Sequence, residues 1–211
     1  MFNFLKKSNN LEKTHQPKVF IFMGRSGCGK GTQADFVVKY LCETENVCKT
    51  IHIETGALLR KFIQGNSYTQ KLTKEVVESG GLMPEAVVVG VWSNYLFEHF
   101  SGKENIVFDG CPRKLHEAIL LDSALQFYKI EKPTVIYLKV SREWAENRLK
   151  ERARKDDSVE GVKKRMDWFE KEVLPSIDFF RNSLNFRFFE IDGEKNIEEV
   201  RQDIQKRVFG I

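Results

Sequence analysis

The sequence of 211 residues predicts an α/β fold in which a five-stranded parallel sheet is flanked by helices. Short β-branched or apolar runs alternate with longer segments whose apolar residues recur at helical spacing, as expected for strands joined by crossover helices. A glycine-rich segment also follows the first of these runs. The length suits one compact domain at residues 17–211, preceded by a polar extension at residues 1–16.

Five runs are expected to form strands: Val19–Met23, Thr50–Ile53, Asn105–Phe108, Thr134–Val140 and Phe186–Ile191. Helices are predicted at residues 30–43, 56–64, 69–79, 85–99, 114–127, 141–153, 157–183 and 196–208. Pro175 should kink or divide the long seventh helix, because proline disrupts a helix interior. Residues 54–83 contain two helical stretches beyond the second strand and should stand off the sheet as an inserted helical flap.

Residues 24–32, GRSGCGKGT, have the composition and the context of a phosphate-binding loop between a strand and a helix. Gly24, Gly27 and Gly29 allow a tight turn that aims backbone N–H groups at phosphate oxygens. Lys30 could then reach the outer phosphates of a nucleotide, and the Thr32 hydroxyl could help to hold Mg²⁺. The alternative is a glycine-rich turn that only joins the two elements.

Two polar residues follow the third predicted strand in the sequence VFDGCPR. A carboxylate at a strand end, here Asp109, can orient Mg²⁺, usually through bound water, although a lone Asp more often caps a loop or helix. Arg113 lies just beyond it, where a planar guanidinium could grip a phosphate. An isolated arginine would more often be a solvated surface residue, so this assignment depends on the whole motif.

Composition limits the classes of function. Hydrophobic residues make up 41% and charged residues 30%, and no apolar run is long enough to span a bilayer. The four cysteines have no paired spacing, and we expect no zinc site, no disulfide framework and a cytoplasmic location without a membrane partner. The net charge of +4 is small beside 34 basic residues, which favours phosphate-binding arginines over a nucleic-acid partner.

Four segments, GRSGCGKGTQ, ETGALLR, VFDGCPR and RKDDSVEGVKKR, resemble the motifs of adenylate kinases and related nucleoside monophosphate kinases in order and approximate distance. The resemblance extends from Val19 almost to the C-terminus. It implies a P-loop NTPase fold with a monophosphate-binding flap at residues 54–83 and a minimal lid at residues 152–157. It also implies a monomeric, Mg²⁺-dependent enzyme that moves the γ-phosphate of ATP onto AMP, giving two ADP.

The resemblance also implies roles for individual residues. Thr55 would contact the acceptor base, and Arg60 would contact its phosphate. Four residues would be catalytic: Lys30, Arg113, Arg154 and Arg165. Thr32 and Asp109 would hold Mg²⁺. The ATP site would comprise Gly27, Cys28, Gly29, Lys30, Gly31, Thr32, Arg148 and Arg152, and the AMP site Thr55, Gly56, Arg60, Met83, Gly110, Arg113, Glu117, Arg154 and Arg165. Alternatively, Arg148 and Arg152 could pair with Glu151 or Asp156 on a solvated face.

Departures from the family pattern leave the acceptor open. Glu117 stands where the family usually has a Gln that reads adenine, and Ala57 and Cys111 replace a frequent Asp and Phe. An ionised carboxylate accepts a hydrogen bond from the amino group of adenine or of cytosine, so CMP remains possible, as do UMP and deoxynucleotides. Thr55 favours AMP, since uridylate and cytidylate kinases usually carry Ala there.

Two further hypotheses come from the same departures. A nucleotide-binding regulator with weak turnover would keep the fold without its activity. The lid has only Ala153 between Arg152 and Arg154, so it should exclude water less completely and raise wasteful ATP hydrolysis.

Overall fold

The computed structural model describes residues 16–44, 49–152 and 158–211. In this part of the chain the five expected strands form one parallel sheet. They are β1 (Val19–Gly24), β2 (Thr50–Glu54), β3 (Asn105–Asp109), β4 (Thr134–Lys139) and β5 (Arg187–Asp192). The strand order is β2-β3-β1-β4-β5, which confirms the predicted fold class.

The central strands are buried along nearly their whole length, because crossover helices cover both faces of the sheet. The register sets Phe22 of β1 opposite Asp109 of β3, and Gly24 opposite Leu138 of β4. The carboxyl ends of these three strands therefore meet at one edge of the sheet.

The helices lie close to their predicted positions. They are α1 (Lys30–Thr44), α2 (Thr55–Phe62), α3 (Tyr68–Glu78), α4 (Glu85–His99), α5 (Leu115–Phe127), α6 (Arg142–Arg152), α7 (Val159–Trp168), α8 (Leu174–Asn182) and α9 (Ile197–Ile204). Between β2 and β3 the chain forms only helices, as predicted for the inserted segment.

The long helix predicted at residues 157–183 is divided, as expected from Pro175. A π-helical turn at Phe169–Val173 separates α7 from α8, and the proline lies in the first turn of α8, where its missing N–H costs least. A second π-helical turn, Gln205–Phe209, follows α9.

Two hydrophobic clusters lie on the two faces of the sheet. Ile21, Phe108 and Phe180 belong to one cluster, and Phe22 and Leu138 to the other. Alternate residues of β1 thus pack into different clusters, as the two-residue period of a strand requires.

Some expectations fall on residues outside the described ranges. These are the N-terminal extension up to residue 15, Cys48 and the lid beyond Arg152. Cys28 and Cys111 are buried free thiols. Within the described ranges, no helix is long and apolar enough to cross a membrane.

Shortening a buried side chain of the sheet should destabilise the protein more than shortening an exposed one. Ile21 in β1 is 0% exposed, so Ile21→Ala should lower the free energy of unfolding by about 2–5 kcal/mol through lost burial and a cavity. Ile119→Ala, at a position 45% exposed on α5, should change it by no more than about 0.5 kcal/mol. Urea denaturation measures both values, and equal losses would contradict the assigned core.

Candidate active site

The glycine-rich residues 24–32, here called the phosphate loop, join β1 to α1 at the carboxyl edge of the sheet. Gly24 has φ +144°, and a Cβ there would lie 2.5 Å from the carbonyl oxygen of Leu138. Gly27 has φ +87°, and its Cβ would lie 2.9 Å from the Ala145 carbonyl oxygen. The loop therefore runs against β4 and α6 at distances that only glycine permits.

Gly29 has a different environment. Its φ is +90°, yet no atom lies within 4 Å of the position that a Cβ would take. The backbone at Gly29 thus requires glycine for its conformation and leaves open space beside it, where a ligand could approach the main chain closely.

Lys30, the first residue of α1, folds back over the phosphate loop. Its Nζ donates to the carbonyl oxygens of Gly24 and Arg25, each at 2.8 Å, and lies 3.6 Å from Cys28 Sγ. Burial raises the pKa of the Cys28 thiol, and the charge of Lys30 only partly opposes this. Cys28 is therefore a neutral packing group beside the Lys30 ammonium.

Asp109 ends β3 beside the start of α1 and is 8% exposed. One carboxylate oxygen, Oδ2, lies 3.3 Å from the position that a Cβ on Gly31 would take. Burial raises the pKa of Asp109, while the charges of Lys30 and His52 act to lower it. Nearby positive charges thus do not fully offset the cost of burying the ionised carboxylate. A bound cation would reduce that cost.

The residues at this edge suit Mg²⁺, which is commonly held by one or two carboxylates together with substrate phosphates and water. Asp109 supplies a carboxylate next to the first turn of α1, where Thr32 is exposed. The described ranges contain no cluster of three His, Cys, Asp or Glu residues that could hold a metal alone. This arrangement fits an ion that arrives with a nucleotide.

Arg113 lies across from the phosphate loop, after the cis peptide bond between Cys111 and Pro112. Its Nε donates to the Gly110 carbonyl at 2.8 Å. Burial lowers the pKa of Arg113, the carboxylates of Glu117 and Asp109 raise it, and the positive charge of Arg165 lowers it further.

Arg165 of α7 is itself only 6% exposed. Like charges repel each other, and an anion bound close to both groups would offset that repulsion. The pair Arg113 and Arg165 therefore concentrates positive charge at this point of the structure.

A second part of the site contains buried polar atoms. Thr55 starts α2 and Glu117 lies in the first turn of α5, with exposures of 2% and 1%. Glu117 Oε2 accepts a hydrogen bond from the Arg113 backbone N at 2.7 Å. Glu117 Oε1 has no hydrogen-bond partner among the described residues, as expected where a ligand supplies one.

Cys111 connects these two groups. Burial raises its pKa to about 12; a hydrogen bond with Thr55 lowers it, and the charge of Glu117 raises it. The pKa of Glu117 is also raised, first by burial, and the Arg113 backbone N–H opposes the shift. Thr55, Cys111 and Glu117 thus form one buried patch next to Arg113.

Other predicted site residues lie at the periphery. The Nη2 of Arg60 is 2.8 Å from Glu54 Oε1 on the surface. The Arg148 guanidinium stacks 5.4 Å from the Trp144 ring centroid and lies 3.5 Å from Glu151, which matches the solvated-face alternative.

The remaining predicted residues are placed as follows. Arg152 ends α6 in an exposed position, Met83 is buried in the core, and Gly56 lies in α2 next to Arg60. Arg154 lies outside the described residues. The binding roles proposed for all of these residues stay predictions.

Sequence reasoning missed two residues that contact the site. Arg25 lies over the Phe169 ring at 4.3 Å, and its Nη1 is 3.2 Å from Glu170. Trp168 stacks against the Arg113 guanidinium at 5.3 Å. The only sequence signal for Trp168 was its position one helical turn beyond Arg165.

Comparisons with known proteins agree with this geometry. A family model described as "Adenylate kinase" matches residues 22–185. An adenylate kinase of Rickettsia rickettsii (strain Sheila Smith) is 30% identical over 220 residues, covering 89% of this chain and 97% of the relative. An adenylate kinase of Leptospira biflexa serovar Patoc (strain Patoc 1 / Ames) is 33% identical over 195 residues, covering 90% of this chain and 100% of the relative.

The burial of Asp109 predicts a pH-dependent cost to stability. Because the pKa is raised in the folded protein, the unfolded chain ionises first as pH rises above the ordinary value of about 3.9, and stability falls until the raised pKa is passed. Asp109→Asn should therefore raise the Tm of the ligand-free protein at pH 7, with a gap that narrows towards pH 4. Thermal unfolding between pH 4 and 8 measures this gap.

Asp122→Asn, at a half-exposed position on α5, provides the matched control. Its Tm should stay near that of the wild type across the same pH range. A Tm for Asp109→Asn below that of the wild type at pH 7 would show that the carboxylate stabilises the free protein.

Proposed function

This chain belongs to the adenylate kinase family, and we propose that it transfers the γ-phosphate of ATP to AMP, giving two molecules of ADP. The observation that carries the proposal is Arg113, which lines the same pocket as Lys30 of the phosphate loop, with the buried Arg165 close enough to act on its charge. A protein that only bound ATP would need the loop and Lys30 but not this second site for an anion. The arrangement supports an enzyme with a donor side and an acceptor side.

The chemistry requires positioning and charge neutralisation more than covalent help from the protein. Backbone N–H groups of the phosphate loop and the Lys30 ammonium would hold the outer phosphates of ATP. To do so, Lys30 would exchange its contacts with the Gly24 and Arg25 carbonyls for phosphate oxygens. Arg113 and Arg165 would hold the acceptor phosphate in line with the γ-phosphate.

Mg²⁺ bound with ATP would be held by Asp109 and Thr32 and would polarise the phosphate oxygens. The protein's own part is to keep one carboxylate at the end of β3, next to the loop. Because burial disfavours the ionised Asp109, cation binding and carboxylate ionisation should reinforce each other.

Thr55 and Glu117 are the proposed base-reading groups. The Glu117 oxygen without a partner, Oε1, could accept a hydrogen bond from the exocyclic amino group of adenine. The same contact is available to cytosine, which makes CMP the second candidate acceptor. AMP is favoured by the family to which the chain belongs.

A panel of acceptors should separate these candidates. With Mg-ATP as donor, initial rates measured with AMP should exceed those with CMP, UMP, GMP and the deoxynucleotides. Equal rates for AMP and CMP would overturn the adenylate assignment. Absence of transfer to every acceptor would support a nucleotide-binding regulator instead.

Removal of the Lys30 ammonium should abolish most of the activity. Lys30→Ala should lower kcat roughly 10²- to 10³-fold or more, because a charge aimed at the transferred phosphate is lost. Lys39→Ala is the matched control, since its side chain is 73% exposed on the same helix and pairs with Glu43. A Lys30→Ala variant with near wild-type kcat would exclude the proposed phosphate site.

We also propose that residues 152–157 act as the lid and that their small number lets water reach the γ-phosphate. ATP hydrolysis without acceptor should then be detectable against a Lys30→Ala background. A rate equal to that background would count against a leaky lid while leaving phosphotransfer untouched.

A further inference from the structure

Three residues of α7 lie on one face of that helix. Gly161, Arg165 and Trp168 are spaced four and three residues apart, which places them on a single stripe. Arg165 acts electrostatically on Arg113, and Trp168 stacks on it. This stripe of α7 therefore faces the proposed acceptor site.

The same stripe contacts the segment that leaves the flap. A Cβ on Gly80, which has φ +68°, would lie 3.2 Å from Gly161 Cα, so the two backbones touch. Trp168 Nε1 donates a long hydrogen bond of 3.5 Å to the Gly80 carbonyl. Gly80 lies two residues beyond the end of α3, so α7 is joined to the end of the helical flap at two points.

Trp168 fixes the Arg113 guanidinium from one side. The Nε of Arg113 is held by the Gly110 carbonyl, and the ring lies 5.3 Å below its Cζ, within the range of a cation–π contact. Both contacts constrain the plane of the guanidinium, and neither uses its terminal nitrogens, which can donate to an anion. A guanidinium fixed in advance loses less conformational entropy when it binds.

We infer that Trp168 is a positioning residue for the acceptor phosphate. Its ring holds Arg113 in the orientation that binds the phosphate, and its Nε1 ties the flap to α7. This inference rests on the proposed function for the identity of the acceptor. It extends that function by assigning part of the acceptor affinity to a side chain that acts through Arg113.

Three variants separate the contributions of Trp168. Trp168→Leu removes the ring and the donor, whereas Trp168→Phe keeps a ring for Arg113 but loses the bond to Gly80. Trp144→Leu is the control, because Trp144 stacks on another arginine, Arg148, at a similar 5.4 Å. Calorimetric titration with AMP gives the Kd without turnover, and steady-state rates give KM for AMP and for ATP.

Trp168→Leu should raise the AMP Kd and KM roughly tenfold, as expected for loss of a partly desolvated cation–π contact, with the ATP KM within about twofold of wild type. Trp168→Phe should restore the AMP Kd to within about threefold, and Trp144→Leu should leave it unchanged. A purely structural role would lower the Tm or affect both substrates alike, so the AMP-specific change is diagnostic.

An AMP Kd for Trp168→Leu within twofold of wild type would overturn the inference, and so would a Trp168→Phe variant as weak as Trp168→Leu. Trp168→Met, which fills volume without a ring, replaces the Leu variant if that variant does not fold. AMP binding without transfer in the wild type would overturn the proposed function alone, since the Kd comparison still tests Trp168.

Discussion

The parallel pairing of β1 with β3 and β4 is the constraint on which the rest of the site depends. Phe22 lies opposite Asp109, and Gly24 lies opposite Leu138, so the phosphate loop and the carboxylate emerge at the same edge. The contact between Gly24 and the Leu138 carbonyl then fixes how the loop leaves the sheet. A shift of this register by one residue would separate Lys30 from Asp109.

Charge at this edge is concentrated and poorly solvated. The Lys30 ammonium donates hydrogen bonds to backbone carbonyl oxygens. Burial disfavours the charged forms of three other groups, Asp109, Glu117 and Arg113. Such an arrangement is costly in the free protein, because each charge loses water without gaining a full partner. In the proposed function, nucleotide phosphates and Mg²⁺ would provide the missing partners, so their binding would relieve a cost that the fold imposes.

Much of this arrangement could be predicted from local sequence. The strand after which GRSGCGKGT begins, and the strand that ends in Asp109, both follow from short apolar runs, and parallel strands bring their carboxyl ends together. The division of the long helix followed from Pro175, although the π-helical form of the turn before it did not.

Contacts between distant segments could not be predicted in this way. Trp168 meets Arg113 and Gly80, which are far from it in sequence, because the packing of α7 against the sheet and the flap decides which of its faces is buried. Glu117 was expected to read a base, and the structure adds a local hydrogen bond to the Arg113 backbone N. Such a bond depends on the exact start of α5, which sequence patterns locate only to within a few residues.

Direct transfer between two nucleotides held at one strand edge is the central claim, and isotope tracing measures it. With ATP labelled in its γ-phosphate and unlabelled AMP, the label should appear as the β-phosphate of newly formed ADP, mole for mole with the ATP consumed. Acid-quenched protein should carry none of it. Label recovered chiefly as inorganic phosphate, or bound covalently to the protein, would contradict direct transfer.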